Sequence, residues 1–373
     1  MDYNFQFSET NSTNFDLIRG IAAQLIALTH AREAFITLKI KNTLGATSLG
    51  LLFLISGILI SFSTFGRMSK KKFEFKRFFI RRFSRIYPPL VVSLLLVLLI
   101  DGYLIFIVYD GEPNIAYSIR SFLLSLFLLN DSAIGITGFG SLRPLWALPL
   151  FWWLYMVFGW VVLGKRTTQN RYLYYSFSLI FIVILIIICM GFHRTVKIGY
   201  IIIWFAGIIF SYLINILNMY VQKNYNNKNI SIDINNHLKR KIKIISLSLS
   251  IILFFLAIIR YISYGNQFGL FYYLLLSGSF CFFFVFSQYS SFIYPKKIKK
   301  IINFLASYSF TLYLLNYTIF GFYMRFKTSM NNYILFIITY IITNIICILI
   351  ASFSEMQTSR ISRYLLKKLN LER

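Results

Sequence analysis

The sequence predicts an all-α, polytopic integral membrane protein, and three observations carry that prediction. Of its 373 residues 58% are hydrophobic, with 40 Phe and 26 Tyr, a share beyond that of ordinary soluble domains. Apolar runs such as "YYSFSLIFIVILIIICMGF" and "YILFIITYIITNIICILIASF" reach the roughly 18 residues that a bilayer crossing needs. Lysine and arginine gather in short stretches between these runs rather than on one face.

In chain order, the apolar pattern places helices at about 15–36, 45–65, 86–108, 144–163, 173–191, 197–217, 244–262, 269–288, 303–322 and 332–352. The charges test this count of about ten. With the N-terminus in the cytoplasm, inner loops and tail hold 27 Lys and Arg and outer segments hold nine, with Arg19 and Arg32 inside the first helix. That bias follows the positive-inside rule and puts both termini in the cytoplasm. It also accounts for most of the net charge of +26, so no nucleic-acid partner is expected. The first sixteen residues are polar and slightly acidic and lack the basic start of a cleavable leader.

One segment breaks the pattern. "AYSIRSFLLSLFLLNDSAIGITGFG" has an apolar core of about ten residues, too short to span. Counting it as a span would also invert every later loop. It reads as a re-entrant or interfacial segment on the outer side, between the third and fourth helices. Such backbone sits at membrane depth only beside protein or a wet cavity, so an outer cavity is expected. The chain is expected to form one transmembrane domain, 1–373, with a polar cytoplasmic linker at 218–243 and a basic cytoplasmic tail at 353–373. Cys189, Cys281 and Cys347 lie within apolar runs without metal or disulfide spacing, and are expected to pack. No metal is expected.

The first helix carries the chemistry. "RGIAAQLIALTH" separates Arg19 from His30 by eleven positions. At about 100° per residue both lie on one face, about 16 Å apart along the axis. Asp16 precedes Arg19 by three and can pair with it, and Glu33 follows His30 by three. An ionisable stripe in a membrane helix faces a polar interior, because a mid-bilayer charge costs about 2.5–3.5 kcal/mol. The plainer reading is an interfacial Asp16–Arg19 pair with His30 as a packing residue. If the protein does acid–base chemistry near neutral pH, His30 is the natural candidate, with Glu33 orienting it. His193 and His237 read as solvated.

"KKKFEFKRFFIRRFSRIYPPL" joins the second and third helices. Topology and lipid headgroups alone explain most of its charge. Arg82 and Arg85, three apart just before Tyr87-Pro88-Pro89, also make a phosphate clamp by spacing. In "SLRPLWALPLFWWLYMVFG" the aromatic residues are either an interfacial anchor or the wall of a cavity. Trp146, Trp152 and Trp153 are the candidates for stacking on a sugar.

Four stretches together resemble the membrane acyltransferase-3 family. "FDLIRGIAAQLIALTHA" is similar to its first helix, with Arg, ten residues, then His. "LGLLFLISGILISF" resembles its second helix, with the pair Ser56-Gly57. "RRFSRIYPPL" resembles its Arg-x-x-Arg motif before Tyr-Pro, and "ASYSFTLYLLNYTIF" its Ser-Tyr-Ser-x-x-Leu-Tyr-Leu segment. The resemblance implies a multi-pass protein of the cell membrane, using cytoplasmic acyl-CoA, most commonly acetyl-CoA, as donor. It implies a glycan or lipid-linked glycan acceptor at the cell surface, and a re-entrant outer segment like the one the charges indicate. His30 is then the catalytic histidine, Arg19 its functional partner and a donor contact, and Arg82 and Arg85 contact the coenzyme A phosphates. Two features depart from the common pattern: Phe151 and Trp152 stand where many members have acids, and Asn316 where many have histidine. Asn316 is grouped with the tryptophans as an acceptor contact. "LWALPLFWWLY" looks more like the subgroup that O-acetylates capsule and exopolysaccharide. Direct transfer and an acyl-histidine intermediate both remain open, as does the oligomeric state. The rival class is a transporter or flippase for a glycan or lipid-linked sugar, disfavoured by the lack of an internal repeat.

Overall fold

A computed structural model describes residues 7–36, 43–68, 73–108, 116–135, 138–226, 232–264, 270–325 and 331–371. Among them there is no strand. The helices are α1 (Glu9–Phe35), α2 (Thr43–Met68), α3 (Phe75–Tyr103), α4 (Ile119–Leu126), α5 (Leu148–Thr167), α6 (Arg171–Cys189) and α7 (Arg194–Asn226). They continue as α8 (Ile232–Tyr264), α9 (Leu270–Gln288), α10 (Lys296–Ser307), α11 (Ser309–Arg325), α12 (Asn332–Phe353) and α13 (Thr358–Lys368). Eight of the described helices are long and apolar enough to cross a membrane. The chain is thus an all-α, multi-pass membrane protein.

Two helices among the ten expected spans fall below that measure, for different reasons. α1 carries Glu9, Asp16, Arg19, Gln24, Arg32 and Glu33, which lower its hydropathy. α11 has only 17 residues, because a break at Tyr308 separates it from α10. Among the described residues, the segment at 117–143 holds no helix long enough to span before α5. It holds the eight-residue α4, capped by Ser118, followed by irregular backbone in which Leu128 and Asp131 have positive φ.

The basic stretch before the third span is helical from Phe75 onward. Its Phe residues, at 75, 78, 79 and 83, recur at helical spacing among the arginines. Pro88 and Pro89 lie inside α3; lacking N–H groups, they free the carbonyls four residues earlier, at Ser84 and Arg85. Much of the polar stretch 218–243 is helical too, in α7 up to Asn226 and in α8 from Ile232.

The chain divides into two compact units. The first holds Met1–Ala22, Ala46–Lys71 and Gly199–Ala306; the second holds Ala23–Gly45, Lys72–Ile198 and Ser307–Arg373. α1 contributes its start to the first and its remainder to the second.

In the first unit, the Ser-Gly pair of α2 is a helix crossing. A Cβ at Gly57 would strike the Trp204 carbonyl, and one at Gly207 would meet the Leu54 carbonyl. Glycine on both sides lets α2 and α7 approach closely, which is how membrane helices gain packing without a hydrophobic drive. Trp204 Nε1 donates to Ser56 Oγ at 3.2 Å, and Phe53 stacks on Tyr200 at 4.9 Å. The polar start of α1 is buried against α9. Asn11 Nδ2 donates to the Phe284 carbonyl and Gln288 Oε1, at 3.0 and 2.9 Å. Asn14 Nδ2 donates to Ser287 Oγ at 2.7 Å, and Tyr294 donates to Asn14 Oδ1 at 2.6 Å. These bonds satisfy buried amide N–H donors that would otherwise cost about 1–3 kcal/mol each. They explain why α1 begins at Glu9, ahead of its apolar run.

In the second unit, α3 packs on α5, α11 and α13, α5 on α6, and α11 on α12. α13 places a buried Leu366 on its inner side within the basic tail.

Candidate active site

The ends of the Arg19–His30 stretch meet different surroundings. In the first unit Arg19 pairs with Asp16 at 3.2 Å, as the spacing predicts. Its Nη2 also donates to the Ala306 carbonyl at 3.1 Å, near the C-terminus of α10. A guanidinium is favoured at that end of a helix. Arg19 therefore ties the N-terminal half of α1 to α10.

In the second unit His30 is half-buried, and its Nδ1 lies 2.6 Å from Asn316 Oδ1. The amide orientation is fixed by its other end. Asn316 is fully buried, and its Nδ2 donates to the Leu312 and Tyr313 carbonyls at 2.7 and 3.0 Å. Only the amide oxygen is left for the imidazole, and an amide oxygen accepts. Nδ1 of His30 must then carry the proton and donate. In the neutral ring Nε2 is left with its lone pair, the form a general base needs. Tyr317 stands perpendicular to the imidazole at 5.4 Å. Glu33 is exposed and makes no hydrogen bond to the ring among the described residues, although its charge reaches the imidazole. Asn316, not Glu33, orients His30.

Gln24, the polar residue midway along the stretch, is the hub of a second network. Its Nε2 donates to Tyr308 Oη and Asn344 Oδ1 at 2.9 and 2.8 Å, and its Oε1 accepts from Tyr340 at 2.5 Å. These bonds hold α1 to α12 one to two turns before His30. Sequence reasoning missed this cluster. The available signal was Tyr340 and Asn344 four apart in an otherwise apolar run, and so on one helical face.

The turn leading into α5 docks beside the histidine. Asp101 accepts the Ser141 N–H at 2.6 Å, and Gly140 (φ +55°) has no room for a Cβ against the Asp101 carboxylate. Ser141 Oγ donates to Thr318 Oγ1 at 2.9 Å, and Tyr313 donates to the Pro144 carbonyl at 2.5 Å. Arg143, between these ties, lies 5.0 Å over the Tyr317 ring.

Arg82 and Arg85 sit one turn apart on α3, both half-buried. Arg82 lies against two aromatic rings, 5.5 Å from Phe78 and 5.4 Å from Tyr155. Cation–π contact of this kind restrains a guanidinium. Arg85 forms no ion pair among the described residues.

The tryptophans part company. Trp152 is buried, packed between Phe79 and Tyr87 at 5.7 and 5.0 Å. Trp153 is half-buried, and its Nε1 donates to the Leu128 carbonyl at 2.8 Å, binding α5 to the segment after α4. Trp146 is half-buried and faces the His193 ring at 4.9 Å. The structure thus brings together His30, Asn316, Tyr317 and Arg143, while Trp152 serves the core and Trp146 adjoins a separate cluster.

That cluster anchors the segment after α4. Lys197 is fully buried and meets Asp131 Oδ2 at 2.7 Å. It also donates to the Asp131 and Ile188 carbonyls. His193 adds its Nδ1 at 3.6 Å. A Cβ at Gly191 would strike the Asp131 carbonyl, so glycine is required where the backbone passes. Burial pushes the Asp131 carboxyl up, and Lys197 and His193 pull it back.

A family model described as an acyltransferase domain, acyltransferase-3, matches residues 12–353. No curated protein and no solved structure matches the chain.

Proposed function

From the premise that the chain belongs to the membrane acyltransferase-3 family, we propose that it is an O-acyltransferase in which His30 is the general base. The donor is acyl-CoA, most simply acetyl-CoA, presented from the cytoplasm. The acceptor is a hydroxyl of a cell-surface polysaccharide of the capsule or exopolysaccharide kind, or of its lipid-linked precursor. The compartment is the cell membrane. The observation that carries this reading is the His30–Asn316 pair, whose fixed amide leaves the His30 Nε2 lone pair available.

The acceptor hydroxyl gives its proton to His30 Nε2 as its oxygen attacks the thioester carbonyl. The C–S bond then breaks. The departing sulfur takes the proton back from the imidazolium, so free coenzyme A and an O-acyl ester leave together and His30 is restored. A positioned base contributes about 10²–10⁴ in rate. Asn316 holds the ring in the productive tautomer and, through its bond to Nδ1–H, stabilises the imidazolium that forms. Arg82 and Arg85 bind the coenzyme A phosphates, an arrangement supported by their one-turn spacing and by the aromatic support of Arg82. Arg19 acts by fixing the N-terminal half of α1 against α10.

The test is donor turnover. Purified protein with acetyl-CoA and a glycan acceptor should release free coenzyme A in step with acceptor acylation. A carrier would move the glycan and leave acetyl-CoA intact, and that result would overturn the reading.

A further inference from the structure

Arg143 differs from the other cations placed around the site. Lys197 is matched by Asp131, and Arg19 by Asp16. The Arg143 guanidinium, by contrast, forms no ion pair and donates no hydrogen bond among the described residues, and the side chain is exposed. It is nevertheless not free to wander. Its turn is tied to α3 through Asp101–Ser141 and to α11 through Ser141–Thr318 and Tyr313–Pro144. Its guanidinium rests 5.0 Å over Tyr317. The same ring stands 5.4 Å from the imidazole of His30.

Those facts combine into a site. A guanidinium lying over an aromatic face is held electrostatically, while its N–H groups point outward in its own plane and stay available. That fork matches the two oxygens of a carboxylate or phosphate. One ring lies against both the fork and the base, so an anion on the fork sets the distance of its neighbouring atoms from His30. A cation this close to a base is also unfavourable once the imidazole protonates, a cost that a bound anion cancels.

We propose that Arg143 reads charge on the acceptor: it binds a carboxylate or phosphate of an anionic sugar and so brings an adjacent hydroxyl to His30. This rests on the acyltransferase reading for its purpose, but its recognition step can be measured without any acyl donor. The chemistry shared by an acidic sugar and a phosphorylated or lipid-linked sugar is an anionic oxygen pair, and separate probes distinguish them.

The experiment measures equilibrium binding to the purified full chain, in neutral detergent at low salt. The probes are methyl β-glucuronide, glucose 6-phosphate and methyl β-glucoside. The wild type should bind at least one anionic sugar about tenfold more tightly than the glucoside, the scale of one charge-assisted fork. The better of the two anions identifies carboxylate or phosphate as the recognised group. Arg143→Gln should erase the preference while leaving the glucoside unchanged. Arg143→Lys, which keeps the charge over Tyr317 but not the fork, should retain part of it. Equal binding of all three sugars by the wild type, or an intact preference in Arg143→Gln, would overturn the proposal. Coenzyme A release with the preferred sugar is then measured separately. A charge preference without release would leave Arg143 as the reader and refute acyl transfer instead.

Discussion

Replacing Asn316 with leucine isolates the contribution of the residue that orients His30. The side chain is fully buried, and its amide hydrogens go only to the carbonyls of Leu312 and Tyr313, four and three residues back in the same helix. Those carbonyls keep their helical partners, so that half of the loss is small. The other half is the 2.6 Å bond to His30. Without it, Nδ1–H is left without an acceptor, at about 1–3 kcal/mol. The ring escapes that cost by turning or by moving its proton to Nε2, and either removes the base. Converted to populations, about 1–3 kcal/mol is a loss of about 5–150-fold in the competent form. The assay is acetyl transfer from acetyl-CoA, with kcat and KM determined separately. We expect kcat to fall in that range with KM for acetyl-CoA unchanged. Asn316→Asp, which keeps an acceptor facing Nδ1, should restore much of the rate. Melting in detergent confirms that both variants are folded. Wild-type kcat in a folded Asn316→Leu variant would refute the argument, as would an aspartate variant no better than leucine.

Three other perturbations test other parts of the account. Arg82→Ala and Arg85→Ala should each weaken coenzyme A binding about tenfold or more, the scale of a charge-assisted hydrogen bond. Sugar binding should stay the same, and calorimetry with each ligand separates the two. Lys197→Met should destabilise the chain by about 3–5 kcal/mol, because Asp131 would be left buried and uncompensated. Thermal unfolding should show this, and Asp131→Asn in the same chain should recover most of the loss. The Glu9–Lys299 pair lowers the Glu9 carboxyl below its usual value. Its small contribution is present above the ordinary pKa of 4.5 and is lost as pH falls through the lowered value. Lys299→Ala should therefore leave stability at neutral pH nearly unchanged, since the pair is exposed.

Much of this architecture is legible from hydropathy and charge alone. The apolar runs located the long helices because lipid demands about 20 apolar residues per crossing. The short core of 117–143 and the loop charges together showed that this segment does not span. The Asp16–Arg19 pair followed from local spacing, since residues three apart on a helix are neighbours on its surface. Interactions between distant segments were harder to read. Asn316 departs from the histidine common at that place, and composition alone suggests a sugar contact. Only the packing of α11 against α1 shows that it faces Nδ1. Lys197 counts as one more outer cation in a charge tally, and nothing local pairs it with Asp131, 66 positions earlier. The helical start of α3 was hidden for another reason. Its basic residues read as a loop because topology explains them, while the phenylalanines at helical spacing among them carry no charge signal.

The central claim is that His30 removes the proton from the acceptor, and one measurement addresses it most directly. Membranes containing either the wild type or His30→Ala, at matched expression and folding, are given labelled acetyl-CoA and an acceptor glycan. Ester formation on the glycan and free coenzyme A are then followed together. The account predicts both products from the wild type and a loss of about 10²–10⁴ in the variant, with coenzyme A binding retained. Equal ester formation by the two proteins would contradict it.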